Sequence, residues 1–90
     1  MANTLSAKKR IRQNEKRRQR NQAVQTRTRT YTKRARQALE AGDVAEAEEA
    51  VKAAAAQLDR AASKGVIHEN NAARRKSRLM KQLAAVREQA

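Results

Sequence analysis

The feature that most limits how this chain can fold is the near absence of helix-breaking residues. In 90 residues there is no proline, and the two glycines, Gly42 and Gly65, are far apart. Glycine suits the left-handed position just past the end of a helix, while a chain without proline has nothing else to stop one. The sequence therefore predicts three helical stretches, divided at Gly42 and Gly65.

Residues that favour helix starts lie where these stretches begin. Ser6 is the predicted N-cap of the first helix, because its hydroxyl can accept a hydrogen bond from a free backbone N–H. Asp43, with Glu46 three residues later, has the spacing of a capping box at the start of the second. The third helix is expected to begin near residues 68–70, and Ile67 is expected to pack back on the bundle after the second glycine.

Apolar residues recur at spacings of three and four in all three stretches, which is the pattern of an amphipathic helix. Three such stripes can close a small bundle. The predicted fold class is all-α: a three-helix bundle with a long, projecting basic first helix, forming a single domain over residues 1–90. The stripes are Val24, Thr28, Tyr31, Ala35 and Leu39; Val44, Ala47, Val51, Ala54, Leu58 and Ala61; and Ala72, Leu79, Leu83 and Val86.

Residues 26–32 give a conflicting signal. Threonine alternates there with arginine and tyrosine at a period of two, which is typical of a β-strand. A lone strand would have no partner in an otherwise helical chain, and the following residues 35–41 strongly favour a helix. The segment is therefore predicted to be helical.

Charge is distributed unevenly along the chain. The formal net charge is +13, from 22 Lys and Arg against 9 Asp and Glu. Residues 1–36 hold thirteen of the basic residues and one acid, Glu15, whereas residues 37–63 are net acidic and residues 64–90 are net basic. Residues 12–22 contain no apolar side chain. This half of the first helix is therefore expected to project from the bundle and to be stabilised by contact with a polyanion.

The composition argues against several classes of function. The absence of cysteine excludes disulfides and thiolate metal sites. His68 is the single histidine and has no cluster of carboxylates beside it, so helix capping or an RNA contact is favoured over catalysis or metal binding. No apolar run approaches a membrane span, and the basic stretch lacks a broad apolar face. No enzymatic activity, cofactor, membrane contact or small-molecule substrate is expected.

A nucleic acid is the polyanion that remains. The sequence has no helix-turn-helix, zinc-finger or zipper spacing, and its single aromatic residue, Tyr31, is expected to pack in the bundle. Many Arg and Lys residues with interspersed Asn and Gln suit phosphate and 2′-hydroxyl contacts in a folded RNA. Compaction of duplex DNA and binding to an acidic protein are the alternatives.

Two long segments of the chain have a distinctive sequence. The first is Met1-Ala2-Asn3 followed by Ser6-Ala7-Lys8-Lys9-Arg10-Ile11-Arg12-Gln13-Asn14-Glu15-Lys16-Arg17-Arg18, and the second is Ala61-Ala62-Ser63-Lys64-Gly65-Val66-Ile67-His68 with Asn70 and Ala72-Ala73-Arg74-Arg75-Lys76-Ser77-Arg78-Leu79. In both, the chain resembles the bacterial small-subunit ribosomal proteins of the S-twenty family, and the resemblance extends over essentially its whole length.

This resemblance implies a cytoplasmic structural constituent of the bacterial small (30S) ribosomal subunit, which binds 16S ribosomal RNA directly through basic helices. Where the family often carries lysine, this chain has Glu69 and Asn71, so no RNA contact is expected at those two positions. The amides Gln13 and Asn14 and the cation Arg27, which lie in the basic first stretch, are added to the positions that the resemblance implies. The predicted RNA-binding residues are Lys8, Lys9, Arg10, Arg12, Gln13, Asn14, Lys16, Arg17, Arg18, Arg20, Arg27, Lys64, His68, Asn70, Arg74, Arg75 and Arg78.

Overall fold

The structure, a computed structural model, describes residues 2–89 of the chain and the side chains of residues 4–89. It consists of three helices, α1 (Ala2–Ala41), α2 (Val44–Ser63) and α3 (Glu69–Gln89). Within the described residues there is no β-strand. The predicted all-α bundle with a long first helix is confirmed.

Both glycines lie just past a helix end, as predicted. Their φ angles are +79° at Gly42 and +75° at Gly65, in the left-handed region that residues with a side chain rarely adopt. After α2, the Gly65 N–H donates to the Ala62 carbonyl (3.0 Å) and the Val66 N–H to the Ala61 carbonyl (2.9 Å), which is the Schellman arrangement. The two turns reverse the chain, so α2 runs antiparallel to both of its neighbours.

Side chains cap the starts of α2 and α3. The Asp43 carboxylate accepts a hydrogen bond from the Glu46 backbone N–H at 3.3 Å, as the capping-box spacing predicts. At the start of α3, the Nδ1 atom of His68 accepts a hydrogen bond from the Asn70 backbone N–H at 3.1 Å. His68 is therefore a capping residue, which is one of the two roles that the sequence favours for it.

The core is small and rich in alanine. α2 packs against both other helices, while α1 and α3 contact each other much less. The predicted stripes form this core, and its buried residues are Val24, Thr28, Ala35, Leu39, Ala47, Val51, Ala54, Leu58, Ala61, Ala72, Leu79 and Leu83. The side chains of Tyr31, Ile67 and Val86 are half-buried against it. Because burying an alanine methyl contributes less than about 1 kcal/mol, the bundle has little stability to spare.

The threonine-rich segment is helical, as predicted. The hydroxyls of Thr28, Thr30 and Thr32 each donate a hydrogen bond to the carbonyl four residues earlier, at 2.8–2.9 Å. This bond satisfies the hydroxyl of Thr28, which is only 3% exposed. The polar atoms of the segment are thus accommodated within the helix, and no partner strand is needed.

The first half of α1 extends beyond the bundle. Every side chain in residues 4–23 is exposed, and the molecule measures 68 × 21 × 13 Å along its principal axes. The prediction of Ser6 as N-cap is wrong, because α1 begins at Ala2 and Ser6 lies within the helix. The residues before Ser6 include neither glycine nor proline, so nothing in them prevents the helix from starting earlier.

We expect Leu58→Ala to lower the free energy of unfolding by about 2–5 kcal/mol, because Leu58 is fully buried on α2. The measurement is urea unfolding followed by helical circular dichroism, and loss of a cooperative transition counts as the expected result. Leu5→Ala is the matched control, since Leu5 is 71% exposed, and it should change the free energy by less than about 0.5 kcal/mol. Equal effects would contradict the assigned core.

Candidate nucleic-acid interface

The projecting half of α1 carries basic side chains on every side of the helix axis. At 3.6 residues per turn, its eight cations are spread around the whole circumference, and all are exposed. They are Lys8, Lys9, Arg10, Arg12, Lys16, Arg17, Arg18 and Arg20, and the exposed amides of Gln13 and Asn14 lie among them. This projecting segment, residues 4–23, is called the rod below. It can contact phosphate groups on more than one side, which a basic patch on a flat surface cannot.

One acid lies within this rod. Glu15 receives two hydrogen bonds from the guanidinium of Arg18, at 2.8 and 3.2 Å. These bonds and the opposite charge hold the pKa of the Glu15 carboxyl below its ordinary value and raise the pKa of Arg18. The carboxyl therefore takes up its proton at a lower pH than an isolated glutamate does. Because both groups are exposed to solvent, the pair contributes little to stability.

Three further predicted residues, Lys64, His68 and Asn70, are exposed around the turn between α2 and α3. The bundle core of α1 begins at Val24, so this turn lies at the end of the bundle from which the basic rod projects. Since Nδ1 of His68 accepts the capping hydrogen bond, a neutral imidazole carries its proton on Nε2. That second nitrogen can donate a hydrogen bond to a phosphate or hydroxyl oxygen.

A basic cleft of about 850 Å³ lies between α1 and α3. Arg29, Lys33 and Arg36 line it from α1, and Arg75 and Arg78 line it from α3. Its remaining lining is polar or apolar, without an acid: Gln25, Thr28, Thr32, Ile67, Leu79 and Gln82. Five cations thus converge on one concave surface.

The cleft follows from the positions of these cations beside the core stripes. Arg29 and Arg36 directly follow the buried residues Thr28 and Ala35, so they lie at the edge of the face of α1 that packs on α2. On α3, Arg75 and Arg78 likewise lie next to a buried core residue, Leu79. The two rows of cations repel each other. Since α2 packs against both helices and α1 and α3 contact each other little, the cleft between the two rows stays open.

Two of the acids of α2 form ion pairs with cations that do not line the cleft. Asp59 forms an ion pair with Lys76 (2.7 Å), and Glu48 forms one with Arg87 (2.7 Å). Both pairs join α2 to α3. In the described part of the chain, the ion pairs therefore leave all five cleft cations free to bind an external anion.

The structure divides the predicted binding residues into groups. Arg75 and Arg78 line the cleft, whereas Arg27 and Arg74 are exposed but do not line it. Sequence reasoning missed the α1 wall of the cleft, formed by Arg29, Lys33 and Arg36. The available signal was their helical spacing of four and then three residues, with Arg29 and Arg36 each one position after a core residue.

The described residues form neither a metal site nor a helix that could cross a membrane. Within residues 2–89, no three His, Cys, Asp or Glu side chains converge to form a metal site. None of the helices in this range combines the length and apolar character that a membrane crossing requires.

Known proteins resemble this chain along most of its length. The family described as Ribosomal protein S20 matches residues 2–84. The small ribosomal subunit protein bS20 of Alkalilimnicola ehrlichii is 57% identical over 83 residues, covering 92% of this chain and 94% of that protein. The bS20 protein of Thermobifida fusca is 58% identical over 83 residues, covering 92% and 90%, and that of Cutibacterium acnes is 55% identical over 83 residues, covering 92% and 94%.

We expect Arg75→Gln to raise the melting temperature of the free protein by about 1–3 °C at low salt, because it removes one charge from the facing rows. The increase should vanish near 1 M salt, where the Debye length is about 3 Å. Arg87→Gln is the matched control: it breaks the pair with Glu48 and should leave the melting temperature unchanged or lower. A lower melting temperature of Arg75→Gln at low salt would refute the repulsion.

Proposed function

The chain belongs to the ribosomal protein S20 family, and from this premise we propose that it is a structural constituent of the bacterial small (30S) ribosomal subunit that binds 16S ribosomal RNA directly. The whole chain, residues 1–90, acts as one RNA-binding domain. Its place of action is the ribosome in the cytoplasm. Its role is structural and not enzymatic, as in the family to which it belongs.

The observation that carries this proposal is the unneutralised positive surface that begins on the rod and continues along the bundle. Residues 4–23 provide eight exposed cations, of which only Arg18 is paired with an acid, the turn between α2 and α3 adds Lys64, and the cleft adds five more cations. A free protein gains nothing from so much self-repulsion, whereas contact with RNA phosphates offsets it.

The proposed mechanism is electrostatic clamping. The rod reaches beyond the bundle and contacts phosphates of RNA segments on more than one side, while the bundle contacts a neighbouring segment through its turn and the basic edge of α3. Each phosphate contact releases condensed counterions, and this release favours binding. Because one long helix connects the two regions, the RNA segments they contact are held in a fixed arrangement.

The residues proposed to contact RNA are the predicted set together with the α1 wall of the cleft. Arg18 keeps its place in the set, since its pairing with Glu15 is exposed and a phosphate can compete for the guanidinium. The proposed contacts are Lys8, Lys9, Arg10, Arg12, Gln13, Asn14, Lys16, Arg17, Arg18, Arg20, Arg27, Arg29, Lys33, Arg36, Lys64, His68, Asn70, Arg74, Arg75 and Arg78.

The direct test is ultraviolet cross-linking of the protein in bacterial cells, followed by sequencing of the attached RNA. We expect the reads to concentrate at a few positions of 16S ribosomal RNA, because one rigid surface binds one folded RNA. Reads scattered over many transcripts would contradict the proposal. Recovery of DNA in place of RNA, or of a protein complex that survives nuclease treatment, would instead support one of the two alternative functions.

We expect the logarithm of the affinity for 16S ribosomal RNA to fall with the logarithm of salt concentration at a slope of about −4 to −7. This corresponds to roughly 6–8 neutralised phosphates at about 0.7–0.9 per contact. Arg17→Gln should make the slope shallower by about one, whereas Arg87→Gln, which removes a cation already paired with Glu48, should leave it unchanged. A wild-type slope shallower than about −2 would rule out the clamp.

A further inference from the structure

The cleft between α1 and α3 differs from the rod in its concave, partly apolar lining. The half-buried Ile67 supplies accessible apolar surface in its lining, and Leu79 also lines the cleft although it is only 3% exposed. The Thr28 hydroxyl in the lining already donates its proton to the Val24 carbonyl at 2.8 Å. Phosphate binding alone needs cations at the rim and gains nothing from an apolar lining. The flat face of a nucleobase does gain from such a surface.

The size of the cleft determines which form of RNA can enter it. A double helix is about as wide as the larger of the molecule's two shorter extents, which are 21 and 13 Å, so it cannot fit between two of the helices. The volume of about 850 Å³ lies within the range of sites for small organic ligands. A short unpaired segment of RNA is the form of nucleic acid that matches this space.

The walls fit the backbone of such a segment. Cations stand on both sides, in the rows Arg29, Lys33 and Arg36 on α1 and Arg75 and Arg78 on α3. A single strand running between the walls would present its phosphates to either row. Arginine can also stack its planar guanidinium on a base, which supplies the stacking surface that this chain otherwise lacks.

Two amides complete the lining and can contact the edges of bases. Gln25 is the first lining residue on α1 and Gln82 the last on α3. Because α1 and α3 run in the same direction, these amides lie at opposite ends of the cleft. Each amide has both a donor and an acceptor, so it can form hydrogen bonds with the edge of an unpaired base.

We propose that the cleft between α1 and α3 holds a short unpaired segment of the bound RNA, with a base against Ile67 and its phosphates on the two basic rows. This inference rests on the proposed function and adds to it a second mode of contact. The rod binds backbone without regard to base, whereas the cleft requires nucleotides that are free of pairing. The protein would thereby select a folded RNA that places such a segment beside the site of the rod.

The test compares two double variants of the full chain in binding to 16S ribosomal RNA. Q25A/Q82A removes both cleft amides without changing the charge. Q37A/Q89A is the matched control, because it makes the same substitutions at exposed positions of the same two helices outside the cleft. We expect Q25A/Q82A to bind about 10-fold more weakly with an unchanged salt slope, since base-edge contacts are lost and phosphate contacts are kept.

Zero-length ultraviolet cross-linking of the wild-type complex, with mass spectrometry of the attached peptides, provides the second readout. We expect a base joined to a residue that lines the cleft, at a nucleotide that chemical probing shows to be unpaired. Cross-links confined to residues 4–23 would overturn the proposal. A shift of the Ile67 methyl resonance when adenosine monophosphate is added to the intact complex would also overturn the proposal. It would show that the bound RNA leaves the cleft open.

The two proposals fail in different ways. If wild-type protein binds 16S ribosomal RNA selectively but the two double variants bind it equally well, the cleft proposal fails and the proposed function stands. If wild-type protein shows no preference for 16S ribosomal RNA over other RNAs, both fail. Melting curves of the two double variants ensure that a loss of affinity is not a loss of fold.

Discussion

The apolar stripe of α2 is the surface on which the rest of this structure depends. Both other helices pack on it, and Val51 and Leu58 are its largest fully buried side chains. Two glycine turns bring the neighbours onto this surface, and two ion pairs join it to α3. Because the core is small, it orders about half of α1 and leaves residues 4–23 without tertiary support.

The separation of charge follows from this arrangement. Most of the acids lie on or next to the central helix, where two of them pair with cations of α3. Apart from Arg18, which pairs with Glu15, the cations of the rod and of the cleft have no acidic partner within the described residues. The fold therefore keeps a high positive potential on one continuous surface, and the RNA supplies the counter-charge that the chain lacks.

Much of this fold could be predicted because it depends on local chemistry. The positive φ angles at Gly42 and Gly65 and the cap at Asp43 require only their immediate neighbours, and the core stripes follow from helical periodicity. Ser6 failed as a cap because a good capping residue does not by itself stop a helix from starting earlier. The cleft itself was not predicted: Arg75 and Arg78 stood out only as part of a basic cluster, and the wall opposite them lay in a segment with strand-like alternation.

The sequence by itself determined that the chain is helical, where its helices end, and that its first part carries too much positive charge to pack in a core. These properties depend on residues within one or two turns of each other. Only the tertiary structure decided that Arg29 and Arg36 face Arg75 and Arg78 across a cleft that Ile67 and Leu79 also line. The reason is physical: α2 holds the two rows side by side, although they are about forty residues apart in the chain.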